Sequence, residues 1–152
     1  MKNLKIISEG KNYSALDIGK LDQLSGYSHI IPRANLEIKG KTFIGEVLKT
    51  TGAEISFQVL LPGESMPFIH RHREHEEIYI FIKGEGQFQI DDTLIPVKEG
   101  SVIRIAPDGA RIWKNNSLIP LVFIVIQVQS GSLKNHFTAD GFIVKGETLQ
   151  DK

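Results

Sequence analysis

The feature that most constrains the fold of this chain is a series of short apolar segments, each ended by a turn. They are rich in β-branched and aromatic residues, and glycine, proline or aspartate follows most of them at spacings of roughly 8–12 residues. No long helical pattern alternates with these segments, so we expect an all-β sandwich or closed antiparallel barrel. The predicted strands lie at residues 42–49, 53–61, 77–82, 87–90, 94–97, 101–105, 111–114 and 121–129.

The flanking regions are less regular. Residues 1–40 are predicted to form an N-terminal arm with one short helix within residues 15–27, limited by two glycines. We expect this arm to cover an end or edge of the barrel or to pair with another subunit. The barrel itself is assigned to residues 41–130. Residues 131–152 form a C-terminal tail with one further candidate strand at 142–145.

Composition excludes several classes of function. The 152 residues fit one domain, and 18 basic residues balance 18 acidic ones, which argues against nucleic acid or a membrane surface as a partner. The absence of cysteine excludes disulfides, thiol catalysis and cysteine-bound zinc. The first residues lack the apolar region of a signal peptide, and the apolar run at 118–126 is too short to span a bilayer. We therefore expect a soluble cytoplasmic protein.

The candidate site lies between Gly63 and Gly84. His70 and His72 are one residue apart, so in an extended segment their side chains share a face. Glu77 begins the next apolar run and supplies a carboxylate. Two imidazoles and one carboxylate are a donor set that suits a divalent metal ion.

This stretch resembles the first motif of the cupin family, in which a glycine precedes histidine-x-histidine, a glutamate and a second glycine. Gly63, His70, His72, Glu77 and Gly84 match it, with one extra residue before His70. Six residues separate Glu77 from Gly84, as the motif requires, so Glu77 corresponds to the motif glutamate and its neighbour does not.

A second cupin motif follows, and it departs from the family at one position. Gly100, Pro107, Gly109 and Asn116 match its glycine, proline-x-glycine and asparagine, with one extra residue before the proline. By this count Ile112 stands where the family has a metal-binding histidine. Isoleucine has no ligand atom.

The resemblance implies a double-stranded β-helix, also called a jelly-roll barrel, and a homodimer that pairs through sheet edges. The usual cupin site has three histidines and one glutamate, so only His70, His72 and Glu77 carry over. They are predicted to bind one divalent metal, iron, manganese, nickel or zinc, with water in the open positions. A polar pocket that binds no metal is the open alternative.

Aromatic and polar residues at strand positions are candidates for the wall of a ligand pocket. The residues that flank Ile112, Arg111 and Trp113, are expected to face away from the site toward an outer sheet or a subunit interface. The pocket-lining candidates are Phe57, Tyr79, Phe81, Ile112 and Lys114.

Three functions follow as hypotheses. The first is a cupin-fold protein that binds a small molecule at a polar site in the barrel mouth, without strong dependence on metal. The second is a metal-dependent oxygenase or isomerase that uses His70, His72 and Glu77. The third is a metal-free enzyme similar to sugar epimerases, in which His70 or His72 acts as a base and Tyr79 as a partner acid.

Overall fold

Two antiparallel sheets form the barrel. In the computed structural model, which describes residues 3–146, the larger sheet has the strand order β10-β7-β12-β6-β5 and the smaller has the order β11-β8-β9. The strands of these sheets are β5 (Lys41–Phe43), β6 (Ala53–Leu60), β7 (His75–Lys83), β8 (Glu85–Ile90), β9 (Thr93–Lys98), β10 (Val102–Ile105), β11 (Arg111–Lys114) and β12 (Leu121–Gln129). The all-β barrel expected from the sequence is confirmed.

An aromatic core fills the space between the two sheets. Tyr79 on β7 and Phe123 on β12 face Phe88 on β8 and Trp113 on β11, and each of these side chains is at most 2% exposed. The rings of Phe88 and Trp113 are stacked, with centroids 5.2 Å apart. The position of Trp113 in this core shows that the predicted outward orientation of the residue is wrong.

The N-terminal region contains more strand than the sequence predicted. It forms two hairpins, β1 (Lys5–Gly10) with β2 (Tyr13–Asp17) and β3 (Ser28–Ile31) with β4 (Leu36–Lys39). The predicted helix is reduced to a 3-10 helix at Leu21–Gly26. A second 3-10 helix occupies Pro32–Ala34.

The N-terminal region packs against the outside of the larger sheet. Leu24 and Tyr27 form a small apolar cluster with Val59 of β6 and Val122 of β12. Phe57 packs against the same cluster. Strand β6 is therefore covered by apolar side chains on its outer face as well as on its inner one.

One predicted strand is shortened, and another is absent. Residues 42–49 contain only β5 and then one helical turn, α1 (Gly45–Leu48), because the Glu54 carboxylate accepts a hydrogen bond from the Gly45 backbone at 2.9 Å and Lys49 turns into the left-handed region. Residues 142–145 form no strand and remain exposed, since no neighbouring strand of the described chain pairs with them. Among residues 3–146, no helix has the length and apolar character needed to cross a membrane.

Gly84, in the turn between β7 and β8, requires glycine for two reasons. Its φ of 84° lies in the left-handed region, and a Cβ there would collide with the carbonyl oxygen of Pro120. Gly100 has a similar φ of 83°, but a Cβ at that position would meet nothing within 4 Å. A substitution at Gly100 would therefore introduce only conformational strain, whereas one at Gly84 would add a steric collision.

We predict that Gly100→Ala destabilises the protein by about 1 kcal/mol, the usual cost of a left-handed alanine. Gly84→Ala should cost at least about 2 kcal/mol more, because the Pro120 backbone must move. Urea unfolding of the two variants measures the difference. Equal losses would show that the barrel absorbs the collision at Gly84.

Candidate functional site

His70 and His72 lie in the connection between β6 and β7, next to the segment that leads into β11. His70 and Arg111 exchange two backbone hydrogen bonds, of 3.2 and 3.1 Å, in an isolated bridge. The His72 backbone amide donates to the carbonyl of Pro107 at 3.2 Å. The two histidines are thus held in place by the proline-glycine turn of the second motif.

Glu77 is the centre of a buried hydrogen-bond network. Its side chain projects inward from β7, and the residue is 2% exposed. One carboxylate oxygen, Oε2, accepts hydrogen bonds from the Tyr79 hydroxyl at 2.6 Å and from Arg111 Nε and Nη2 at 3.0 and 2.6 Å. The other oxygen, Oε1, lies 3.1 Å from His72 Nε2, without the alignment of a regular hydrogen bond.

Arg111 is fully buried, which is the main difference between the site and its sequence-based prediction. The guanidinium bonds Glu77 and also donates from Nη1 to the Gly109 carbonyl at 2.8 Å. The expected outward orientation of Arg111 is wrong because odd-numbered residues of β11 face the interior. Asn115, four residues later, is also fully buried, whereas Asn116 is exposed.

The second motif is therefore offset by one residue from the count made on the sequence. Its histidine and asparagine are four residues apart, and the inward pair with that separation is Arg111 and Asn115. Asn115 donates to the carbonyls of Leu60 and Ile119 at 2.9 and 2.7 Å, a structural role. In this structure Arg111, and not Ile112, faces Glu77.

The burial and charges of this network shift three pKa values. Burial alone would raise the pKa of Glu77, but the close contact with His72, the hydrogen bond from Tyr79 and the charge of Arg111 outweigh it and lower the pKa to about 2. Burial, followed by the charge of Arg111, lowers the pKa of His70 to about 4. Burial and the neighbouring Glu77 carboxylate raise the pKa of Tyr79. At neutral pH, His70 is therefore an uncharged imidazole.

The other pocket-lining candidates are dispersed. Phe81 lies in the barrel core and is 1% exposed, whereas Phe57 lies on the outer face of the larger sheet. Ile112 and Lys114 line a groove of about 260 Å³ on the outer face of the smaller sheet, next to Leu94. Their predicted place in the pocket is corrected because the even-numbered residues of β11 face outward.

The rim of the barrel adjoins the site. A groove of about 900 Å³ is lined by Glu54, His75, Gln127 and Gln129, among others. Gln127 is opposite Glu77 in the pairing of β12 with β7, and the ring centroids of His75 and His72 are 6.4 Å apart. His75 therefore connects the groove to the vicinity of His72, while His70, His72 and Glu77 do not line the groove itself.

His70, His72 and Glu77 are close enough together to hold a metal ion, since their ligand atoms all lie within 4.8 Å of one another. The chemistry of the donor set fits poorly, however. Oε2 of Glu77 already accepts three hydrogen bonds, and two of them come from a permanently charged guanidinium. A divalent cation would have to share this carboxylate with Arg111 and would be repelled by it.

The comparisons with known proteins agree with this architecture. Residues 56–127 match the family described as the cupin domain. A cupin protein from Bacteroides fragilis of known structure is 32% identical, and the alignment covers 90% of this chain and 100% of that one, with a TM-score of 0.73. The chain belongs to the cupin family.

More distant relatives show the fold but not the activity. The structure of a predicted oxalate decarboxylase from Thermotoga maritima has a TM-score of 0.58 at 20% identity, covering 74% of this cupin and 99% of that chain. An uncharacterized protein from Methanocaldococcus jannaschii is 31% identical over 64 residues, which are 42% of this chain. The match spans about half, 51%, of that curated relative.

The lowered pKa of Glu77 predicts how stability depends on pH. The folded pKa of about 2 is below the ordinary value of 4.5, so the ionised carboxylate stabilises the fold above pH 4.5, and this contribution disappears as the pH falls toward 2. Glu77→Gln should cost about 3–5 kcal/mol at pH 7, because it leaves the Arg111 charge buried and unpaired.

The neighbouring Glu76→Gln is the matched control. Glu76 pairs with Arg104 at the surface, so this variant should lose at most about 1 kcal/mol. Unfolding in urea at pH 7 and at a series of pH values down to 3 measures both variants. Similar losses for the two would show that the buried network does not stabilise the fold.

Proposed function

We propose that this cupin binds a small polar molecule at the mouth of its barrel without a resident metal ion. The observation that carries the proposal is the buried contact between Arg111 and Glu77. The arginine supplies the positive charge that the carboxylate needs, so the negative charge that would attract a divalent ion is already balanced.

The two histidines are the groups that would meet the ligand. Among residues 3–146, His70 Nδ1 is buried without a hydrogen-bond partner, and the buried His72 Nε2 has only its poorly aligned contact of 3.1 Å with Glu77 Oε1. Such groups carry a desolvation cost that a bound hydroxyl or carbonyl would remove. His70, as an uncharged imidazole, can donate from one ring nitrogen and accept at the other, so it suits a ligand with both donors and acceptors.

The rim groove next to His75 supplies the entrance. Around His70, the aromatic rings of Phe68 and Trp113 each have their centroid 5.6 Å from that of the imidazole. A ligand that reached His70 would therefore contact apolar surface as well as polar groups, as small-molecule sites usually provide.

A metal-dependent enzyme is the second candidate, and the spacing of His70, His72 and Glu77 favours it. The epimerase-like hypothesis has less support. It needs a tyrosine that can donate a proton to a substrate, but Tyr79 is fully buried and already donates to Glu77. Homodimerisation and a cytoplasmic location remain predictions; light scattering tests the first.

Trp113 provides a direct test of binding. It is the one tryptophan of the chain, and it contacts His70, so its fluorescence reports on the site. A set of small polar metabolites should contain one that changes this fluorescence, equally before and after dialysis against a chelator. His72→Ala should weaken that binding about tenfold or more, the usual effect of losing a buried hydrogen-bonding partner. Binding that disappears after dialysis would refute the proposal.

The metal content of two histidine variants tests the role assigned to Arg111. The wild-type protein, purified without chelator or a metal-affinity tag, should contain far less than one equivalent of iron, manganese, nickel or zinc. Arg111→His should gain close to one equivalent, because it removes the guanidinium and places a third imidazole beside Glu77.

Ile112→His is the matched control, because the motif count on the sequence places the missing ligand there. Residue 112 faces outward, so this variant should remain as free of metal as the wild type. Elemental analysis by mass spectrometry measures all three proteins. A full equivalent of metal in the wild type would favour the metal-dependent enzyme. Metal bound by Ile112→His but not by Arg111→His would show that residue 112, and not residue 111, faces Glu77.

A further inference from the structure

A lysine is buried inside the barrel, some distance along the wall from the histidines. Lys41 on β5 is 8% exposed, and its neighbour in the strand pairing, Gln58 on β6, is fully buried. The Lys41 ammonium donates to Gln58 Oε1 at 3.3 Å and lies 5.0 Å from the centre of the Phe43 ring. No carboxylate of residues 3–146 lies within 4 Å of it.

Burying an ammonium group with neutral partners alone is costly, because charges inside proteins are normally paired with opposite charges. The cost is visible in the pKa of Lys41, which burial lowers to about 8 although the Glu77 carboxylate raises it. Glu77 is itself bound to Arg111. The charged groups that act on one another here are therefore two cations and the Glu77 carboxylate, while the half-buried Glu54 carboxylate lies in the rim groove and accepts hydrogen bonds from backbone amides.

Unpartnered polar atoms accompany this excess of positive charge. Gln58 Nε2 and Ser56 Oγ are buried and, within the described part of the chain, have no hydrogen-bond partner. The amide oxygen of Gln58 accepts the hydrogen bond from Lys41, so the unpartnered group of this side chain is the amide N–H donor. Ser56 lies two residues before Gln58 on β6, and its side chain is on the same inner face.

The subsite also has an opening to the outside. Gln58 lines a groove of about 420 Å³ that runs between β4 and the loop at residues 63–67, together with Ile38 and Met66. Glu37 and Glu64 also line this groove, so a small ligand can approach the amide of Gln58 along a path with both apolar and charged walls.

We propose that Lys41, Gln58 and Ser56 form a binding subsite for the carboxylate group of a small organic acid. An ammonium, an amide N–H and a hydroxyl together satisfy the acceptor sites of one carboxylate. The uncompensated charge is a single positive one, so a monoanion balances it, whereas a phosphate dianion would leave excess negative charge among Phe43, Phe81 and Phe123. The inference rests on the proposed small-molecule function and names the chemical class of its ligand.

Propionate and its neutral analogue propionamide have similar shapes but different charges, so comparing their affinities shows the contribution of the ligand's charge to binding. Binding is followed on chelator-treated protein by calorimetry and by the indole N–H signal of Trp113, the one tryptophan of the chain. Propionate should bind saturably, and propionamide and inorganic phosphate should bind about tenfold more weakly or worse.

Lys41→Met removes the charge and keeps most of the side-chain volume. It should weaken propionate binding at least about tenfold, and it should not lower the melting temperature, because it removes an unpaired buried charge. Lys98→Met makes the same substitution at an exposed lysine of β9 and should leave binding unchanged. Gln58→Met, a second variant that keeps Lys41, should also weaken binding.

The outcomes distinguish this inference from the proposed function. The carboxylate subsite would be overturned if propionamide or phosphate bound as tightly as propionate, or if Lys41→Met bound propionate with wild-type affinity. The proposal that the protein binds small molecules without metal would remain valid in each of these cases. Propionate binding that requires added metal would overturn both. Absence of propionate binding in the wild type would overturn the subsite alone.

Discussion

The ion pair between Glu77 and Arg111 is the contact on which the rest of the site depends. It connects β7 of the larger sheet to β11 of the smaller one, and Tyr79 donates a third hydrogen bond to the same carboxylate oxygen. Two charges buried together are stable only when their remaining hydrogen-bonding capacity is also satisfied. Here Gly109 accepts from the guanidinium, so the pair fixes the turn that positions His70 and His72.

The sequence was sufficient to predict the barrel because strand periodicity and turn residues report local structure directly. It was insufficient for the orientation of β11, although the bounds of that strand were correct. Side chains alternate along a strand, so an error of one residue in matching the second motif exchanges the inner and outer faces. Counting to Ile112 implied a missing ligand and an outward Arg111; the structure places the arginine inside and facing Glu77.

Strand β6 shows a different limit of sequence reasoning. Its apolar residues suggested one buried face, but the segment around the 3-10 helix at Leu21–Gly26 covers the outside, so both faces are buried and polarity no longer identifies the interior. Ser56 and Gln58 are on the inner face, where a polar residue would not be expected from alternation. Lys41 joins them because β5 pairs with β6 at that position. Polar groups in such positions become informative only when the pairing of the strands is known.

The charge balance explains how the proposed ligand-binding interior is compatible with an arginine in place of a histidine. In the usual cupin set, three neutral imidazoles, one carboxylate and a divalent ion together carry a single positive charge. In this chain, Arg111 and Lys41 oppose Glu77, and the fixed side-chain charges reach the same total without an ion. The positive potential that an anion would meet is therefore preserved, but it is distributed over two covalently attached groups. A protein arranged in this way would bind an anionic ligand without supplying the open coordination positions that metal-dependent chemistry requires.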